Sequence, residues 1–245
     1  MSLFRPNYEA EGPGVRKDEK QPVGFIRFFK VIGHRFWQII ALNALYVFAC
    51  LPIVTIGGAT AGMTYVMRNF SQSKHAYFFS DFVEKGKENF LKGLAVVLID
   101  AVVAFLTVYS YFFWSSSQLA LSGIVRTIAL VCVFLVAYIL VCTNFYVFPM
   151  LVSFDLPLKN ILKNSLILGI YKLGQNLLMI LFNGVITAAC LLLFPLSMPF
   201  ILFFSFTLCS LFNNFLVYPI LVRYVASDSQ PGQPQQEDQV FRDQP

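Results

Sequence analysis

Residues 94–114, 124–148, 177–194 and 200–222 form four apolar stretches. Each runs close to the ~20 residues an α-helix needs to cross a hydrocarbon core of about 30 Å. A backbone surrounded by lipid must satisfy its own N–H and C=O groups, so stretches of this kind fold as spanning helices. The composition agrees: 57% of the 245 residues are hydrophobic, 13% are charged, and 27 are phenylalanine. A soluble domain of this length has too little interior to hide that many rings. The expected fold class is an all-α membrane protein, a polytopic helical bundle of five to six membrane segments whose first partner is the lipid bilayer.

A fifth apolar stretch, residues 36–67, would measure about 48 Å as one straight helix, too long for a single crossing. Pro52 and the pair Gly57 and Gly58 lie near its middle, where a missing amide donor and low helix propensity make a turn cheapest. Charge chooses between a kink and a hairpin. With one crossing, the 18 Lys and Arg residues divide 8 against 10 between the two sides; with entry and return, 17 lie on one side and Arg126 alone on the other. The positive-inside rule therefore favours a Pro/Gly-broken first hairpin in the cell membrane with both termini cytoplasmic, against the competing reading of one long kinked helix. Arms this short need other helices around them, and Gly58 and Gly62, with Gly57 and Ala61 beside them, offer a smooth face for close approach.

Residues 23–36 place Phe25, Phe28, Phe29, Ile32 and Phe36 on one helical face and Arg27, Lys30 and His34 on another, the pattern of an interfacial amphipathic helix. The alternative is the frayed start of the first span. Residues 1–22 and 227–245, rich in Pro, Gly, Gln and charge, read as disordered cytoplasmic tails, which leaves 23–226 as the helical transmembrane domain.

A weak repeat runs through the rest. Asn144-Phe145-Tyr146-Val147-Phe148-Pro149 reappears as Asn214-Phe215-Leu216-Val217-Tyr218-Pro219. Each copy would close a unit made of a cationic amphipathic lead-in (79–92 and 155–172), an outward helix, an uncharged linker and a return helix. Pro would stop the return helix at the water, with the aromatic before it in the interfacial belt. Chance similarity in an aromatic-rich chain is the competing explanation.

Motifs for chemistry are few. No phosphate loop, zincin or nucleophile-elbow pattern occurs, and neither metal nor cofactor is implied. The five cysteines sit in apolar runs without a C-x-x-C pair. A net charge of +5 distributed as above points to membrane orientation and not to nucleic acid. Asp100 is the one acidic residue inside a span, which makes it a functional candidate by default; the bland account gives it a hydrogen-bonding partner in the bundle, such as Asn43 or Asn183. Asn43, Asn144 and Asn214 join it as a candidate intramembrane polar site, with interhelical bonding as the alternative.

Asn43, the run Leu51-Pro52-Ile53-Val54-Thr55-Ile56-Gly57-Gly58-Ala59-Thr60-Ala61-Gly62, then Ser80-Asp81-Phe82 and Lys87-Glu88-Asn89-Phe90, resemble the YesL-like family of bacterial integral membrane proteins. Pro52, Thr55, Gly57, Gly58 and Gly62 carry the likeness, which extends loosely to about Arg223. The resemblance implies a domain of unknown function, often encoded near carbohydrate ABC transporters and glycan sensors, with no catalytic residues to carry over. Three functions are then open: a non-enzymatic accessory component meeting an ABC permease or sensor kinase, a small-solute transporter or channel with a path near Asp100, and an intramembrane enzyme needing a second reactive group facing Asp100. Oligomeric state is not addressed by the residues.

Overall fold

The structure is a computed structural model that describes residues 24–116 and 123–226, so both expected tails lie outside the described residues. The elements are α1 (Gly24–His34), α2 (Phe36–Ala49), α3 (Ile56–Ser71), α4 (Phe78–Glu88), α5 (Phe90–Ser115), α6 (Gly123–Leu151), α7 (Leu158–Tyr171) and α8 (Leu173–Leu192). The last span follows as α9 (Met198–Phe200), a π-helical stretch (Ile201–Ser205) and α10 (Phe206–Leu221). Four helices, Phe90–Ser115, Gly123–Leu151, Leu173–Leu192 and Met198–Tyr224, are long and apolar enough to cross a membrane. Their flanks present large apolar side chains outward, among them Phe105, Phe112, Phe134 and Leu181, a surface suited to lipid.

The stretch 36–67 folds as a hairpin. At its open end the Arg35 guanidinium donates to the Lys74 carbonyl at 3.0 Å and lies over the Phe70 ring, so the start of α2 meets the end of α3. The break falls at residues 50–52 and not at Gly57 and Gly58, which belong to the first turn of α3. Thr55 explains this placement. Its hydroxyl donates to the Ala49 carbonyl at 2.5 Å and the Pro52 carbonyl at 2.6 Å, closing the turn that Pro52 opens. The glycines are thereby released for packing. At 14 and 16 residues the arms reach about 21 and 24 Å, short of a full crossing, and the tip exposes Leu51, Ile53 and Val54.

α3 is covered as such a hairpin requires. Its glycine face meets the α4–α5 backbone so closely that a Cβ on Gly57 would lie 2.2 Å from the Gly93 carbonyl carbon, one on Gly58 2.9 Å from the Gly86 oxygen, and one on Gly62 2.3 Å from the Phe82 oxygen. Gly86 and Gly93 complete a contact of which the sequence reading named only one side.

Three units of one plan arrange the chain: α1–α2–α3, α4–α5–α6 and α7–α8–α10, each a lead-in, an outward helix and a return helix. The helix order expected for two units also describes the first hairpin, which has no copy of the hexapeptide. Each lead-in packs against a return helix. α4 packs along α3 and α7 along α6, where a Cβ on Gly169 would come 3.2 Å from the Thr143 nitrogen. α1 closes the ring against α10, burying Phe28 edge-on among Phe182, Phe212 and Phe215. Within α1, Phe28 of the expected apolar face is buried together with Val31, whereas Phe29 of that face is exposed. The three return helices touch one another pairwise.

Two further expectations are corrected. Pro149 does not end α6, which continues to Leu151, and Pro219 lies inside α10. Phe148 is buried instead of joining an interfacial belt, because α7 folds back over that end of α6. Where α6 stops, Arg68 of α3 takes over, donating to the Val152 carbonyl at 2.7 Å and the Ser153 hydroxyl at 3.0 Å, a cation at a helix C-terminus.

Candidate functional site

Polar side chains among the membrane helices fall into two groups, those spent on the fold and those gathered at a cleft. Asn43 belongs to the first. It is fully buried, its Nδ2 donates to the carbonyls of Ile201 (3.0 Å) and Leu202 (2.8 Å), and its Oδ1 accepts from the Thr207 N–H at 2.9 Å. It therefore binds the last span at its π-helical stretch, where the backbone ladder shifts register and outside partners are most useful. Asn176, which the sequence reading did not single out, ties three helices together: it accepts from the Tyr146 hydroxyl at 2.7 Å and donates to the Gly169 carbonyl at 2.5 Å.

The second group lies where α3, α6 and α10 meet. Thr60, Thr64, Asn144, Ser210, Asn213 and Asn214 line a cleft of about 230 Å³, together with the rings of Phe145, Phe148 and Phe206. Asn144 and Asn214 open the two copies of the repeated hexapeptide, so the repeat brings equivalent amides to one place. Asn144 donates to the Leu140 carbonyl at 3.2 Å and its amide is directed at Asp100 on α5. Asp100 therefore stands behind the cleft wall, met by Asn144 and not by Asn43 or Asn183; the latter donates to Asn213 at 2.8 Å. Lys92, one helical stretch away, pairs with Asp155 at 3.6 Å. Asn214 is 1% exposed; its Nδ2 donates to the Ser210 carbonyl at 2.8 Å, while its Oδ1 has no partner among the described residues. Of the four candidate polar residues, Asn144 and Asn214 line the cleft, Asp100 meets Asn144 from outside its lining, and Asn43 lies elsewhere. The threonines of α3 were missed, since an isolated Thr in an apolar run carries no signal.

At the end of the bundle where the hairpin opens, a groove of about 440 Å³ is lined by Arg27, Lys30, Val31, His34, Arg35, Gln72 and Ser73. Four basic or imidazole side chains share it, and among the described residues no carboxylate lines it. Ser73 turns the chain there at φ 58°, carrying the backbone from α3 around beneath α1. Farther along the same end, Glu88 bonds Lys85 at 2.5 Å and holds that ammonium above its ordinary value. Among the described residues no cluster of three or more His, Cys, Asp or Glu could hold a metal ion.

Comparison with known proteins places the geometry in context. The family described as "Protein of unknown function, DUF624" matches at residues 39–111, which hold the hairpin, α4 and most of α5. Among relatives in Bacillus subtilis (strain 168), the uncharacterized protein YteU is 28% identical over 208 residues, covering 83% of this chain and 84% of its own. The uncharacterized protein YesL is 28% identical over 180 residues, 71% of this chain and 76% of the relative. The uncharacterized protein YesV is 31% identical over 136 residues, 54% and 64% respectively. No solved structure matches the chain.

Proposed function

We propose, from its geometry and from its likeness to the uncharacterized YesL-like membrane proteins, that the chain is a non-enzymatic accessory component of a carbohydrate ABC uptake or sensing system. In this reading it sits in the cell membrane with both termini cytoplasmic, and it docks an acidic surface of a permease or sensor kinase. The observation that carries the proposal is the groove of Arg27, Lys30, His34 and Arg35, cationic and, among the described residues, without a lining carboxylate. Charge gathered this way attracts and orients an acidic partner. The groove lies at the end where Arg35 meets Lys74, Arg68 meets Val152 and Lys92 meets Asp155, the end the positive-inside rule assigns to the cytoplasm.

The test is purification of the tagged full chain in mild detergent from cells grown on plant glycans. An ABC permease, ATPase or sensor kinase should co-purify, and the double variant Arg27→Glu, Lys30→Glu should lose it while inserting normally. Recovery of no such partner, or equal recovery with the variant, overturns the proposal.

A second reading, a small-solute transporter, rests on the polar cleft beside Asp100. It predicts solute uptake by reconstituted vesicles that falls with Asp100→Asn. Vesicles that take up nothing end it.

A further inference from the structure

The cleft at the junction of the three return helices has a chemistry of its own. We propose that it is a binding site for a small uncharged molecule carrying several hydroxyl groups, of about monosaccharide size. The inference takes the cleft on which the second reading rests and names its ligand, without requiring that the ligand move.

Size gives the first bound. At about 230 Å³ the cleft falls below the ~300–1,000 Å³ typical of sites for drug-sized ligands. Charge gives the second. No Lys, Arg, His, Asp or Glu lines it, and Asp100 reaches it only through Asn144, so neither an anion nor a cation finds a counter-charge on the wall. Hydrogen bonding then narrows the class. Asn214 is buried with an unpartnered Oδ1, which calls for a donor, and its Nδ2 is already committed to Ser210. The Asn213 Oδ1 is occupied by Asn183, which leaves its Nδ2 to donate. The Thr60 hydroxyl is spent on the Ile56 carbonyl at 2.7 Å, whereas Thr64 brings another hydroxyl to the same wall.

The site thus asks for donors at one point and acceptors at another, which a hydroxyl group supplies in both senses. The rings of Phe145, Phe148 and Phe206 provide apolar surface for the C–H faces of a polyol or sugar ring. A lipid chain in the same place would leave the Asn214 oxygen unsatisfied in a medium of low polarity, which is costly.

Isothermal titration of the full chain in phosphatidylcholine nanodiscs tests the proposal, using glycerol, myo-inositol, D-xylose and D-glucose, with glucose 6-phosphate and gluconate as charged counterparts. At least one neutral compound should bind saturably, the charged ones should not, and Thr64→Val and Asn213→Ala should each weaken binding about tenfold. Asn213 is only half buried, so its replacement keeps the test valid even where changes at Asn214 prevent folding. The proposal is overturned by an absence of saturable neutral binding at millimolar concentration, which would leave the cleft to water. Equal affinity in both variants, or a preference for the charged compounds, overturns it too. Binding without vesicle uptake retains the site and ends the transport reading; loss of both ends both.

Discussion

A methyl group added to Gly57 has nowhere to go, because the backbone of Gly93 and Leu94 occupies the space within 2.6 Å of it. The same holds at Gly62 against Phe82. Since backbone and not a flexible side chain is in the way, α3 would have to move off α4 and α5. Gly57→Ala and Gly62→Ala are expected to destabilise by about 1–3 kcal/mol, read as lowered thermal unfolding temperatures in mild detergent. Gly184→Ala, with nothing within 4 Å, should be neutral or slightly stabilising through helix propensity. If all three behave alike, close backbone packing is not what these glycines are for. Asn43→Leu fills similar space but strands the Ile201 and Leu202 carbonyls, and a cost of about 1–3 kcal/mol is expected in the same assay.

The first hairpin depends on how its turn is closed. Thr55 brings one hydroxyl to the carbonyls of Ala49 and Pro52, so Thr55→Val, which keeps the shape and loses the donor, should destabilise by about 1 kcal/mol, whereas Thr55→Ser should not. Equal unfolding temperatures for the two variants would show that Pro52 suffices alone. That the stretch had to break was readable from its length and from Pro52. Where it breaks was not, because low propensity marks Gly57 and Gly58 as well as Pro52, and only their contact with α4 and α5 shows that they serve packing. What the amphipathic lead-ins pack against was likewise not readable. A cationic helix with one apolar face suits a membrane surface and a neighbouring helix equally well, and α4 and α7 take the neighbour.

Across the whole molecule, three lead-in, outward and return units close into a ring whose return helices meet at the centre. This organisation predicts topology directly. In a chain freed of its native cysteines, single cysteines at Lys85 and Lys163 should react with a membrane-impermeant maleimide only after permeabilisation, and one at Thr127, near Arg126, should react in intact cells. A reactive Lys85 position on intact cells would contradict the hairpin, the charge asymmetry and the cytoplasmic groove together. The candidate site was half legible. Asn144 and Asn214 stood out through the repeat and Asp100 through its charge, but Thr60, Thr64 and Asn213 have no periodic or compositional mark.

Hydropathy by itself determined that this chain is a helical membrane protein with spans near 94–114, 124–148, 177–194 and 200–222, because transfer of a long apolar segment into lipid depends on composition summed along the segment and hardly at all on its neighbours. Charge placement, likewise additive, favoured the hairpin. Only the tertiary structure decided which amides are spent on the fold and which remain at the cleft, that Asn43 serves the π-helical stretch while Asn144 turns to Asp100, and that Gly57 meets Gly93. Hydrogen bonds and backbone contacts act over about 3 Å between residues distant in the chain, so their pairing is set by how the helices cross and is not carried by any single segment.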